Sequence, residues 1–125
     1  MPEKVLIVED EPDTLQLLKE SLECEGYEVI TAIDGVEAED KAHRENPDII
    51  ILDVFLPKRD GYEVCKRLRE DKNSFGIPII MLTAKDDYGS RLKGFLQGAF
   101  DYVTKPFNTE DLIKKTRKLL SARKK

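Results

Sequence analysis

Four apolar runs punctuate this chain, and each ends on polar residues. Val5-Leu6-Ile7-Val8 runs into Glu9 and Asp10, and Ile49-Ile50-Ile51-Leu52 into Asp53. Ile79-Ile80-Met81-Leu82 runs into Thr83, and Tyr102-Val103-Thr104 into Lys105 and Pro106. Apolar runs of this length, with helical spacing between them, predict strands of a parallel sheet buried on both faces. A further run, Tyr27-Glu28-Val29-Ile30-Thr31, alternates polar with apolar and is placed at a sheet edge.

Five helices are predicted between and after these strands. Pro12 suits a first helical turn, Leu15, Leu18 and Leu22 form one stripe, and Gly26 ends it. The second helix, about 35–45, is polar and is expected to pack through Val36, Ala38 and Ala42 until Asn46-Pro47 stops it. Asp60 can cap a third helix whose inner face is Val64, Cys65 and Leu68. The fourth, about 87–97, holds Gly89 and Gly94 and is expected to be the most mobile element, since an interior glycine costs roughly 1 kcal/mol. Asn108 with Asp111 resembles a capping box for the last helix, whose inner face is Leu112, Ile113, Thr116, Leu119 and Leu120. The fold class is therefore α/β, a doubly wound, five-stranded parallel sheet with helices on both faces.

Composition narrows the class further. At 125 residues, with 40% hydrophobic and 37% charged positions, one domain over 1–125 is expected, with 121–125 as a basic tail or the start of a linker. No run approaches the roughly 20 apolar residues of a membrane helix. Met-Pro-Glu-Lys leads straight into a strand, so no signal peptide and a cytoplasmic location are expected. Cys24 and Cys65 are expected to be buried free thiols. Net charge is −4, with acid around Glu9, Asp10, Glu11 and Asp13 and base in the last helix and tail. No aromatic or glycine-rich reading surface accompanies that basic end, so no nucleic acid is expected on this domain. His43, the one histidine, falls in the polar second helix, away from any strand end.

In an open parallel sheet the carboxyl ends of the strands share one edge, where ligands bind. Glu9, Asp10, Asp53, Thr83 and Lys105 should meet there. Three close carboxylates repel unless a cation joins them, and Mg²⁺, which takes oxygen ligands and is often shared with phosphate, fits; Mn²⁺ is a second candidate. Asp53 is then the candidate nucleophile toward phosphorus, Lys105 a point cation for a phosphoryl oxygen, and Thr83 a hydrogen-bond donor. Each of these residues alone also has an ordinary reading as a cap, a salt bridge or a strand-end threonine.

Four segments carry a resemblance: Val8-Glu9-Asp10-Glu11, Asp53-Val54-Phe55-Leu56-Pro57 with Asp60-Gly61, Leu82-Thr83-Ala84-Lys85, and the run from Gly98 through Lys105-Pro106 to Phe107. In order and at strand ends, they resemble the receiver domain of two-component response regulators, related to the chemotaxis regulators, from Lys4 to about Leu120. The resemblance implies a flavodoxin-like sandwich with strand order 2-1-3-4-5 and phosphorylation of Asp53. It implies Asp10 and Asp53 as direct Mg²⁺ ligands, Glu9 acting through water, and the Phe55 carbonyl as a third protein ligand. It implies Lys105 as phosphate binder, followed by Pro106, and Thr83 with Tyr102 as a switch pair. The switch acts on the face of the fourth helix, fifth strand and fifth helix. The donor is a phosphohistidine on a sensor histidine kinase or phosphotransfer protein.

Some positions depart from common family patterns. Phe100 stands where many dimerising members carry an acidic residue. A phosphorylation-dependent homodimer could still pair Arg91 with Asp111 and Asp101 with Lys115. Lys58 and Arg59 put positive charge beside the site. Phe55 and Lys85 flank the phosphoryl group and predict restricted water access and a long-lived adduct.

Other readings compete. A haloacid-dehalogenase-type phosphatase also uses an aspartate, Mg²⁺ and a lysine, but Phe55 stands where its acid/base carboxylate would be. A flavodoxin-like cofactor binder needs a phosphate-cradling loop, and Glu9-Asp10-Glu11-Pro12-Asp13 repels phosphate. A phosphorylation-independent docking module remains a third reading. The chain is expected not to be an enzyme beyond its self-phosphorylation and dephosphorylation.

Overall fold

A computed structural model of the chain describes residues 2–83, 98, 101–104 and 107–123. Within these, five strands form one parallel sheet: β1 Lys4–Val8, β2 Glu28–Ala32, β3 Ile49–Asp53, β4 Ile79–Thr83 and β5 Asp101–Thr104. Their order is β2-β1-β3-β4-β5, so the alternating strand Glu28–Ala32 does lie at an edge. The helices among the described residues number four rather than the expected five: α1 Pro12–Cys24, α2 Gly35–Glu45, α3 Gly61–Glu70 and a C-terminal helix Thr109–Arg123. The expected fourth helix, 87–97, lies outside the described residues.

The continuous apolar strands follow from two cores, one on each face. Leu6, Val8, Ile50, Leu52, Ile79 and Met81 point to the face covered by α2 and α3, where Ala38, Ala42, Val64, Cys65 and Leu68 meet them. Val5, Ile7, Ile49, Ile51, Ile80 and Leu82 point to the other, covered by Leu18 and Leu22 of α1 and Leu112 and Leu120 of the C-terminal helix. Strand side chains alternate between faces, so a strand covered on both sides has no polar position.

Three expectations need correction. Val36 is exposed, and Glu39 takes its place on the buried side of α2 beside Ala38 and Ala42. Cys24 is exposed, at the end of α1; only Cys65 is buried. The Asn108 side chain caps the last helix through the Glu110 N–H at 2.8 Å, one position earlier than a capping box would use. The other helix signals hold: Pro12 opens α1, Gly26 follows it with φ 92°, Asn46 ends α2 with φ 48°, and Asp60 accepts from Glu63 N–H at 2.9 Å to start α3.

Register aligns the strand ends. Val8 pairs with Ala32 and with Leu52, Asp53 with Leu82, and Thr83 with Thr104. The residues after β1, at the end of β3 and at the end of β4 therefore emerge together on one edge.

Candidate functional site

β1 ends at Val8, and the chain turns into α1 through Glu9, Asp10 and Glu11. Glu9 is still tied to the sheet, its N–H donating to Ala32 O at 3.1 Å. Glu11 caps α1, its carboxylate accepting from Thr14 N–H at 2.6 Å. Three of the acidic residues read as one cluster therefore separate in role. Glu11 serves the helix, and Glu9 and Asp10 are left to face β3.

There they meet Asp53. One carboxylate oxygen from each of Glu9, Asp10 and Asp53 lies within 4.8 Å of the others. Glu9 and Asp53 are buried, at 1% and 4% exposure, while Asp10 opens to solvent. The two buried carboxylates are oriented by backbone two residues on. Glu9 Oε2 accepts from Glu11 N–H and Asp53 Oδ1 from Phe55 N–H, each at 3.2 Å.

The donor set fits a hard divalent cation. Unit charges about 4 Å apart near a protein surface repel by roughly 4 kcal/mol. Holding three carboxylates this close, two of them shielded from water, has an obvious compensation in a cation on their oxygens. An all-oxygen set with one open side matches a metal that keeps water and shares a phosphate.

The flanking residues separate into those brought to this edge and those that are not. Thr83, buried, ends β4 one step beyond the partner of Asp53. Tyr102 is half-buried beside Met81, on the same sheet face as Thr83 and one side-chain repeat back. Phe55, two residues after Asp53, is 69% exposed. Lys85, Arg91, Phe100, Lys105 and Pro106 lie outside the described residues. Lys58 and Arg59, expected to put positive charge beside the site, are paired with α2: Lys58 Nζ lies 3.5 Å from the Asp34 carboxylate and Arg59 Nη1 is 2.7 Å from that of Glu39.

One of the two pairs expected across a dimer, Asp101 with Lys115, is also made inside one chain. Lys115 Nζ lies 3.7 Å from Asp101 and 3.7 Å from Asp111, donates to Tyr102 O at 3.0 Å, and stands 5.7 Å from the Tyr102 ring centre. Arg117 likewise pairs with Glu25 at 2.8 Å, so part of the basic C-terminal helix is engaged within the fold. His43 lies at the surface, Nε2 3.4 Å from Asp71. Among the described residues no helix is long and apolar enough to cross a membrane.

What sequence reasoning missed was the role of Glu39 and the cap at Glu11. Glu39 stands between Ala38 and Asp40 in a helix rich in charge, and nothing local distinguishes the one carboxylate that is buried.

Comparison with known proteins agrees with this geometry. The family model of the response regulator receiver domain matches residues 5–117. The alkaline phosphatase synthesis transcriptional regulatory protein PhoP of Bacillus subtilis is 50% identical over 96% of this chain and 49% of its own length. The chain spans about half the length of the curated relatives it matches. Among solved structures, the chemotaxis response regulator CheY4 of Vibrio cholerae superposes with a TM-score of 0.91 at 37% identity, covering 95% of this chain and 99% of that one. The receiver domain of a sensor histidine kinase from Pseudomonas aeruginosa, with a magnesium ion in its active site cleft, gives 0.90 at 32% identity, covering 97% and 99%. Fold, acidic pocket and sequence agree, and this chain belongs to the response regulator receiver domain family of two-component signalling.

Proposed function

We propose that Asp53 is the phosphoacceptor of this receiver and that Glu9, Asp10 and Asp53, with the Phe55 carbonyl, hold Mg²⁺ beside it. The observation that carries this reading is the meeting of three carboxylate oxygens, within 4.8 Å, at the shared carboxyl edge of β1 and β3.

The step balances simply. A carboxylate oxygen of Asp53 attacks phosphorus, the P–N bond of a donor phosphohistidine breaks, and the imidazole keeps the electron pair and takes up a proton. Mg²⁺, when bound, offsets the charge gathering on the phosphoryl oxygens. The Phe55 N–H holds Asp53 Oδ1 and so orients the attacking carboxylate. Glu9, anchored by the Glu11 N–H, supplies buried negative charge that acts on the cation through water. Lys105 binds a phosphoryl oxygen, followed in the chain by Pro106, and Lys85 with Phe55 screens the adduct from water, so the phosphoryl group is long-lived.

Aspartyl phosphate adds charge and acceptor oxygens at a strand end. Thr83 can bond a phosphoryl oxygen only in that state, and its shift opens space for the Tyr102 ring, which biases two arrangements of the output face. Lys115 Nζ stands over the Tyr102 ring and faces Asp101 and Asp111, so movement of the ring would be felt at the start of the C-terminal helix. A homodimer across this face would exchange those contacts for intersubunit ones, and equilibrium ultracentrifugation with and without phosphorylation reads it.

The partner is a sensor histidine kinase or a histidine phosphotransfer protein, and the chain is a signalling module rather than an enzyme. A haloacid-dehalogenase-type phosphatase would need an acid/base group at the Phe55 position. The test is intact mass after incubation with acetyl phosphate, with and without Mg²⁺, for the parent and Asp53→Asn. One added phosphoryl group, requiring both Mg²⁺ and Asp53, supports the reading. A folded parent with no adduct overturns it in favour of a phosphorylation-independent docking module.

A further inference from the structure

The loop from β3 to α3, residues 54–60, follows directly from Asp53, and it is seated on α2. Glu39 is the buried carboxylate of that helix, at 8% exposure. Its two oxygens accept from Arg59 Nη1 and Arg67 Nε, both at 2.7 Å. Such charge-assisted bonds are the strong ones, and a buried carboxylate requires them. Arg67 belongs to α3, so its half of the arrangement joins helix to helix. Arg59 belongs to the loop, so its half holds the loop.

The same stretch is fastened twice more at the start of α2. Gly35 N–H donates to Pro57 O at 3.2 Å, and Lys58 pairs with Asp34 at 3.5 Å. Contact is so close that a Cβ at Gly35 would overlap the Arg59 carbonyl and Cβ. Lys58 itself has φ 68°, a left-handed conformation that a lysine keeps only when its surroundings enforce it. At its other end the loop is held to the strand by Phe55 N–H on Asp53 and Gly61 N–H on Val54 O, at 3.2 and 2.7 Å.

We propose that Glu39 is a positioning residue for the Asp53 site: through Arg59 it fixes the loop that carries Phe55, and so sets how tightly the site holds a divalent cation. The cation clause rests on the reading of that site as an Mg²⁺-assisted phosphoacceptor; the seating of the loop does not.

Charge alone makes a different prediction. Removing Arg59 takes a cation away from a cation site, which by electrostatics would tighten Mg²⁺ binding. Loss of positioning weakens it. Amide exchange of the metal-free chain and Mg²⁺ titration by calorimetry, on Glu39→Gln, Arg59→Ala, Arg67→Ala and the Glu39→Gln/Arg59→Ala double variant, separate the two. Gly35 and Gly61 amides are expected to exchange about tenfold or more faster in Glu39→Gln and Arg59→Ala, the scale of one lost charge-assisted bond, and no faster in the double variant than in either single one. The Mg²⁺ Kd should rise about threefold or more in both. Arg67→Ala should leave each value within about twofold, since Arg67 belongs to α3 and its loss leaves the Glu39–Arg59 bond that holds the loop in place. Arg59→Lys, which keeps the charge and loses the planar donors, carries the same expectation should Arg59→Ala fail to fold. Unchanged exchange at Gly35, an Arg67→Ala effect equal to that of Arg59→Ala, or tighter Mg²⁺ binding in Arg59→Ala would each overturn the proposal. A parent that binds no Mg²⁺ overturns the phosphoacceptor reading instead, and the exchange rates still test the seating of the loop.

Discussion

Gly61 lies directly against Asp53: a Cβ at Gly61 would overlap the Asp53 carbonyl oxygen and crowd the Val54 Cα. The first residue of α3 and the last residue of β3 thus share a space that admits hydrogen and nothing larger. Overpacking at such a contact costs about 1–3 kcal/mol, because backbone on both sides has to shift. Gly61→Ala should lose that much stability in urea denaturation and should also slow labelling by acetyl phosphate, since the displaced backbone carries the acceptor. Gly76→Ala, at a glycine with no atom within 4 Å of the added methyl, should do neither.

The acidic cluster makes stability depend on divalent cations. A ligand that binds only the folded state adds about 2.7 kcal/mol at a hundredfold excess over its Kd. Mg²⁺ should therefore raise Tm, and Na⁺ at equal ionic strength should not. Asp10→Asn should abolish most of that rise. In the metal-free state the same change relieves repulsion and should stabilise the chain by roughly 0.5–1 kcal/mol. Calorimetric scans with and without Mg²⁺ check both signs, and a Tm that ignores Mg²⁺ in the parent would count against the site.

Asp34 carries a pH signature. The Glu37 N–H bonded to its carboxylate holds its pKa below the usual 3.8, with Lys58 adding to the effect against the opposing pull of burial. A carboxyl depressed on folding stabilises the protein above its unfolded pKa, and this contribution is lost as pH falls through the folded value. Asn keeps a capping oxygen and loses the charge. Asp34→Asn should therefore be less stable than the parent at neutral pH, with the gap closing below about pH 4. Asp34→Ala should lose about 1 kcal/mol more broadly, as a removed cap. Denaturation midpoints taken across pH 3–7 distinguish the two.

The cysteines should react in sequence. Burial pushes the Cys65 thiol up to about 11, against a smaller opposing effect of Arg69, while Cys24 is exposed at the end of α1. Thiolate is the reactive form and needs access. At about pH 8 a thiol reagent should label one residue quickly, Cys24, and the second only in denaturant. Cys24→Ser should remove the fast phase, and a fast phase that survives it would place Cys65 within reach of solvent.

The order of elements and most of the site could be read along the chain because each depends on short-range physics. Ile49 to Leu52 have no polar residue and so need cover on both faces; Glu28 to Thr31 alternate and so take an edge. Strand-end polar residues in a parallel sheet share one edge by topology, so Glu9, Asp10 and Asp53 could be placed together before any distance was known. Pro12, Gly26, Asn46 and Asp60 mark helix ends through constraints on their own backbone or first turn.

What only the tertiary structure decided concerns which of several equivalent charges meets which partner. Glu37, Glu39 and Asp40 are alike in the chain, yet Glu39 alone is turned between two arginines, 20 and 28 residues away. Lys58 and Arg59 read as positive charge beside the site, and only the fold shows that Asp34 and Glu39 hold them. Lys115 read as a partner for Asp101 of another copy, and the fold brings Asp101 and Asp111 of the same chain within 3.7 Å of it. Long charged side chains reach several partners at similar cost, and their choice depends on which backbone packing brings within about 3 Å, a quantity that hydrophobic periodicity does not encode.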